Sequence, residues 1–130
     1  MKRTILILLL LASTVFAFSP GTYNLVMQAG EDFAMTLALA DTNGAAVNIT
    51  GNSYAAQFRS APAPGGIVFA SYSVAVTSPT HGQISMKLSS GQTTRLSGRT
   101  GVWDLRQTDT SNQKSYLLTG TCQVKPTATR

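Results

Sequence analysis

The feature that most constrains this chain is an apolar period of two, which recurs in short runs separated by turn residues. Tyr23, Leu25 and Met27 alternate with Thr22, Asn24 and Val26, up to a break at Ala29-Gly30-Glu31-Asp32. Phe33, Met35, Leu37 and Leu39 alternate with Ala34, Thr36 and Ala38, and the same spacing returns at Tyr54, Ala56, Phe58 and at Ile84, Met86, Leu88. Successive side chains of a strand point to opposite faces, so this period specifies half-buried strands and not amphipathic helices. Between the runs stand Asp41-Thr42-Asn43-Gly44, whose Asn and Gly tolerate positive φ, and the loop Ala61-Pro62-Ala63-Pro64-Gly65-Gly66. Pro79-Thr80-His81-Gly82 and Asp109 to Gln113 mark two more turns.

The remaining segments fit the same scheme. Val47 and Ile49 read as a short strand, and Ile67 to Val76 as one long strand or a pair broken near Ser71. Val102 to Thr108 and Ser115 to Lys125 close the chain as two strands. Ser89 to Leu96 is the single helix candidate, at most two turns, with Ser89 or Ser90 as its cap. Strict alternation in the last strand puts Tyr116, Leu118, Gly120, Cys122 and Val124 on one face. Cys122 is then a small buried hydrophobe, and Trp103, with Leu105 on its own face, is the largest core anchor. The expectation is an all-β chain folded as one antiparallel sandwich or barrel of seven or eight short strands.

The N-terminal segment has a different character. Lys2 and Arg3 precede Ile5 to Leu11, an unbroken Ile/Leu run, and Val15-Phe16-Ala17 then offers small residues at the positions a signal peptidase reads. A basic start, a short apolar centre and a small-x-small end resemble a secretory leader, so residues 1–17 are separated from a domain spanning 18–130. The apolar stretch is shorter than the 18 or so residues needed to span a bilayer. The alternative is an attached hydrophobic helix buried in an assembly.

Removing residues 1–17 leaves eight basic against five acidic residues, a net charge of +3, and the basic side chains are scattered. That is not the concentrated stripe of a nucleic-acid binder. One Cys and one His in 130 residues leave too few ligands for a zinc cage and no partner for an intrachain disulfide. His81 reads as an exposed turn residue, and Glu31-Asp32 as adjacent acids whose side chains diverge. Asp104 has no second acid near it in sequence, and Asp41-Thr42-Asn43-Gly44 is a turn before it is a calcium loop. Asn48-Ile49-Thr50 matches a glycosylation sequon by a pattern of low specificity. The expectation is therefore no enzyme activity, with no catalytic, cofactor-binding or metal-binding residues and no cofactor.

Several short motifs occur in a telling order. Gly21-Thr22-Tyr23-Asn24-Leu25 leads to Gln28-Ala29-Gly30-Glu31-Asp32-Phe33. Val47-Asn48-Ile49-Thr50-Gly51, Ala56-Gln57-Phe58-Arg59 and Gly82-Gln83-Ile84 follow. Gly101-Val102-Trp103-Asp104-Leu105, Leu117-Leu118-Thr119-Gly120 and the terminal Val124-Lys125-Pro126-Thr127-Ala128-Thr129-Arg130 complete the set. From Gly21 to Arg130 this order resembles the small immunoglobulin-like structural proteins of tailed bacteriophages and prophages. Trp103 stands where their pattern has Tyr, and Asn24 where it has Asp.

The resemblance implies an Ig-like sandwich in a tail, baseplate or fibre-attachment region of the virion. Its partners would be other virion proteins or identical copies, with no nucleic acid and no small-molecule substrate. A membrane would be touched only through an uncleaved N-terminal segment. The leader motivates a second reading: an exported bacterial Ig-like binding module, cut near Ala17, with a glycan or protein ligand at loops such as Ala61 to Gly66.

Overall fold

The computed structural model describes residues 2–8 as backbone and residues 21–41, 43–62 and 65–128 with their side chains. The expected cleavage point after Ala17 lies outside the described residues. The strands in chain order are β1 (Lys2–Leu8), β2 (Gly21–Thr22), β3 (Leu25–Gln28), β4 (Phe33–Ala40) and β5 (Ser53–Arg59). They continue as β6 (Val68–Ser71), β7 (Ser73–Ser78), β8 (Gln83–Leu88), β9 (Thr100–Thr108) and β10 (Lys114–Lys125). A 3-10 turn at Pro79–His81 precedes β8, and the helix α1 (Ser90–Arg95) follows it.

Two sheets form the sandwich that the period of two predicts. The smaller has the order β1-β4-β8-β7, and the larger runs β2-β10-β9-β5-β6 with β3 also on β10. Leu25, Met27, Met35, Leu37, Leu39, Phe58, Ile84, Met86, Trp103, Leu105, Leu117 and Cys122 are all buried between them. These are the in-facing positions of the alternation, and burying them is the dominant favourable term in folding.

The details differ from the sequence expectation in four places. The pairings of β1 with β4 and of β2 and β3 with β10 are parallel, although every other strand pairing is antiparallel. Val47 and Ile49 form no strand. Their amides donate to the Leu39 and Pro79 carbonyls instead, and Ile49 is nonetheless buried. In β10 a register shift between Tyr116 and Leu118 reverses the alternation, so Leu117 and Leu118 are both buried while Tyr116 is turned outward. At the N-terminus, Lys2–Leu8 is a strand and not a helix, in agreement with the β-branched Thr4, Ile5 and Ile7.

Ile67 to Val76 does break, one residue after Ser71. β6 belongs to the larger sheet and β7 to the smaller, and Tyr72 between them is buried at the crossing, its amide donating to the Ala56 carbonyl. α1 also forms as its sequence directs. Ser89 caps it with a capping box, its side chain accepting from the Gln92 amide.

Trp103 sits at the centre of the core. Its indole N–H donates to the Tyr23 carbonyl at 2.7 Å, and its ring meets Tyr72 edge-on with centroids 6.2 Å apart. Gly120, opposite Trp103 on β10, is what lets the Tyr23 backbone come so close, because a Cβ there would collide with the Tyr23 carbonyl. The core account predicts that Trp103→Phe lowers unfolding free energy by about 1 kcal/mol, since it leaves a part-buried carbonyl without its donor. Trp103→Ala should cost about 3–5 kcal/mol. Urea denaturation followed by tyrosine fluorescence and far-UV dichroism measures both, and equal stability of Trp103→Phe and the parent would refute the hydrogen-bond assignment.

Candidate functional site

The residues singled out for their chemistry are held apart by the fold. His81 is exposed in the 3-10 turn, where its Nδ1 lies 2.9 Å from Ser78 Oγ and 3.3 Å from Thr80 Oγ1. Both partners are its own turn neighbours. Asp41 Oδ1 accepts from the amides of Asn43 and Ala45, at 2.9 and 3.0 Å, which closes the turn the sequence indicates. Asn48 is exposed, and its Oδ1 accepts from the Thr50 hydroxyl at 2.6 Å.

The acidic pair at Glu31-Asp32 is used in fastening α1. Asp32 Oδ1 accepts from the Ser90 amide at 2.7 Å, at the helix start where a negative charge is favoured. The Glu31 carbonyl accepts from Thr93 Oγ1 at 2.8 Å, and Gly30 N donates to the same hydroxyl at 3.1 Å. Thr93 is fully buried, so this long-range network locks the β3–β4 turn to the helix. Among the described residues no group of three His, Cys, Asp or Glu side chains is placed to hold a metal ion.

The fold does bring together one charged group that the linear sequence does not announce. On the outer face of the larger sheet, Asp104 of β9 shares its side with Arg106, two residues on, and lies diagonally across from Arg59, whose register partner is Val102. Burial pushes the Asp104 carboxyl up from its ordinary value, against the pull of the Arg59 and Arg106 guanidiniums. Tyr116, turned outward by the β10 irregularity, is the register partner of Arg106 and is 47% exposed. Aromatic residues and arginines are both enriched in protein interfaces in general. The signal for Arg106 and Asp104 was their i, i+2 spacing. Arg59 and Tyr116 needed the strand register and the bulge.

A second exposed apolar group lies at the β6 edge, where Ile67 is 65% and Val68 46% exposed. Behind it Phe69 packs edge-on against Phe58, and the Arg99 guanidinium lies 5.1 Å from the Phe69 ring centroid. A small cleft of about 90 Å³ is lined by Val26, Met27, Gln28, Glu31, Asp32, Phe33 and Ala34, at the end of the sandwich where β4 begins.

Cys122 is fully buried, its sulfur 3.3 Å from the Tyr72 hydroxyl. Burial pushes its thiol up to about 11, and Tyr72 is likewise raised well above its ordinary value by burial and by the Cys122 charge. Because both folded groups hold their protons more tightly than the unfolded chain does, the stability they contribute is complete below pH ~9 and is lost as pH rises toward 11. Thermal unfolding measured from pH 7 to 11 should show Tm falling only above pH ~9. In the native state at pH 8 the thiol should resist an aromatic disulfide reagent and react fully in denaturant. Fast native-state labelling would contradict the burial.

No protein-family profile matches the chain. No curated protein matches it either. Among solved structures it is similar to the N-terminal domain of phage TP901-1 ORF48, with a TM-score of 0.56 and 11% sequence identity. The likeness covers 96% of this chain and 99% of that one, so the two share a fold from end to end.

Proposed function

We propose that the chain is a non-enzymatic structural component of a tailed-phage particle, in the tail, baseplate or fibre-attachment region, and that it works by protein–protein contact. The observation that carries this reading is the end-to-end likeness of fold to the phage ORF48 domain. The ordered motifs from Gly21 to Arg130 point the same way. So does the structural use of polar groups: Asp32 and Thr93 fasten the helix, and Asp41 and Asp109 close turns. The partners are other virion proteins or further copies of the chain. Nucleic acid and small-molecule substrates have no part, and no cofactor is used.

The contacts fall on the two surfaces that combine exposed apolar groups with arginine, namely Ile67-Val68, where Val68 pairs with Arg59, and Tyr116 beside Arg106. Quantitative mass spectrometry of particles purified from the native source should find the protein at a fixed copy number, and antibody labelling in negative stain should place it on the tail. Particles lacking the protein would overturn the reading. Ile67→Glu with Val68→Glu should leave Tm within a few degrees of the parent, as surface substitutions do. The same pair should reduce incorporation into particles at least tenfold.

The leader-like residues 1–17 favour the second reading, an exported Ig-like binding module. Intact mass separates the two. A native protein beginning near Phe18 and absent from particles supports export, whereas a particle-borne chain keeping Lys2–Leu8 supports the virion role.

A further inference from the structure

Positive charge gathers on the outer face of the larger sheet. Trp103 and Leu105 point inward from β9, so Asp104 and Arg106 point out, and strand register extends that face to the neighbouring strands. β5 places Arg59 on it, opposite Val102. β10 places Lys114 on it beside Tyr116, before the register shift, and Lys125 at its far end. Four cations therefore surround a single acid, Asp104. Among the described side chains of the smaller sheet the only charge is Lys87.

The two arginines are not satisfied within the chain. Arg59 Nε and Arg106 Nε are both buried and have no hydrogen-bond partner. Asp104 stands between them, level with Gln57 on β5, yet it accepts from neither nitrogen. A buried donor without an acceptor is uncommon in a folded chain and costs stability until one is supplied. Both residues are only half-buried, so part of each side chain remains open to solvent. Arginine is the side chain best matched to a carboxylate, through two parallel N–H···O bonds. Its chain has the rotamer freedom to turn the Nε edge toward a carboxylate that arrives from outside.

Spacing gives the face a pattern. Arg59 is level with Val102, and Arg106 lies four residues further along β9, ~13 Å away along the strand direction. Asp104 is halfway between. The order is positive, negative, positive.

We propose that this face docks an acidic protein segment, one that sets carboxylates on Arg59 and Arg106 and a lysine or arginine between them on Asp104. In an extended partner, carboxylates ~13 Å apart are four residues apart and share a side, with the cation two residues from each. Opposition of charge at all three points selects this partner and repels one of reversed pattern. Nucleic acid fits poorly, because its backbone would bring unbroken negative charge onto Asp104. Tyr116, opposite Arg106, and Val68, opposite Arg59, supply exposed apolar ground at the two ends of the row. The inference rests on the contact reading of this surface and names the chemistry that the surface takes.

The test uses the isolated full chain, isotope-labelled for NMR, and a backbone-cyclised hairpin peptide that presents Glu, Lys and Glu at alternate positions of one face. Cyclisation holds the probe in shape, so little ordering is lost on binding. The expected result is saturable shifts centred on β5, β9 and Tyr116, with binding about tenfold weaker for the charge-swapped hairpin carrying Lys, Glu and Lys. Arg59→Gln and Arg106→Gln should each weaken binding about tenfold, and Lys87→Gln on the other sheet should leave it unchanged. Thermal melts check that each variant folds. Asp104→Asn keeps both arginines and should abolish the preference for Lys over Gln at the centre of the hairpin. Absence of shifts on this face, equal binding of the swapped hairpin, or equally tight binding of a DNA oligonucleotide at the same residues would overturn the inference. No particle enters this experiment, so its failure is distinct from failure of the virion reading, which absence from particles would show.

Discussion

The hydrogen bond from the Trp103 indole to the Tyr23 carbonyl is the constraint around which the sandwich is arranged. It fixes where the chain between β2 and β3 passes, because Gly120 on β10 must be bare for that carbonyl to come near. The same Trp103 ring meets Tyr72, the residue at which the chain crosses from the larger sheet to the smaller. Tyr72 in turn contacts Phe33 at 5.9 Å and Cys122. One aromatic therefore joins β9, the two short strands beside β10, the sheet crossing and the start of β4. Buried polar atoms in such a group are each partnered, which makes the arrangement specific as well as stable.

That arrangement also takes two reactive groups out of solvent. Tyr72 and Cys122, groups with a titratable or nucleophilic atom, face one another inside the core and hold their protons. The carboxylates of Asp32, Asp41 and Asp109 cap a helix or close turns. The described surface carries arginines beside an exposed tyrosine and an apolar β6 edge. A fold can host many functions, so the fold likeness that carries the proposed contact role is read together with these surfaces.

Much of this was legible in the sequence, and the exceptions share a cause. The period of two locates nearly every in-facing residue from Leu25 to Val124, and the serine pair Ser89-Ser90 announces the start of α1. Trp103 as anchor and Cys122 as core residue follow from alternation alone. Val47 and Ile49 alternate like a strand, but their amides find partners in Leu39 and Pro79, so the pattern reflects burial without pairing. Strict alternation places Tyr116 inward, because one extra residue in β10 cannot be read from composition, and a one-residue shift exchanges the two faces. Arg59 joins Asp104 and Arg106 only through cross-strand register. The parallel β1–β4 pairing was the least visible feature, since an apolar run after two basic residues has the same appearance whether it is an export leader or a strand.

The parallel pairing of β1 with β4 is the point on which the account is most exposed. Hydrogen exchange on the full chain, compared with Leu6→Pro, addresses it directly, because proline fixes φ and takes an amide out of the middle of β1. The account predicts protection at two sets of β4 amides in the parent, those directed toward β8 and those directed toward β1. In Leu6→Pro the second set alone should exchange fast, with the Trp103 core still protected. Identical protection of β4 in the two proteins would contradict it.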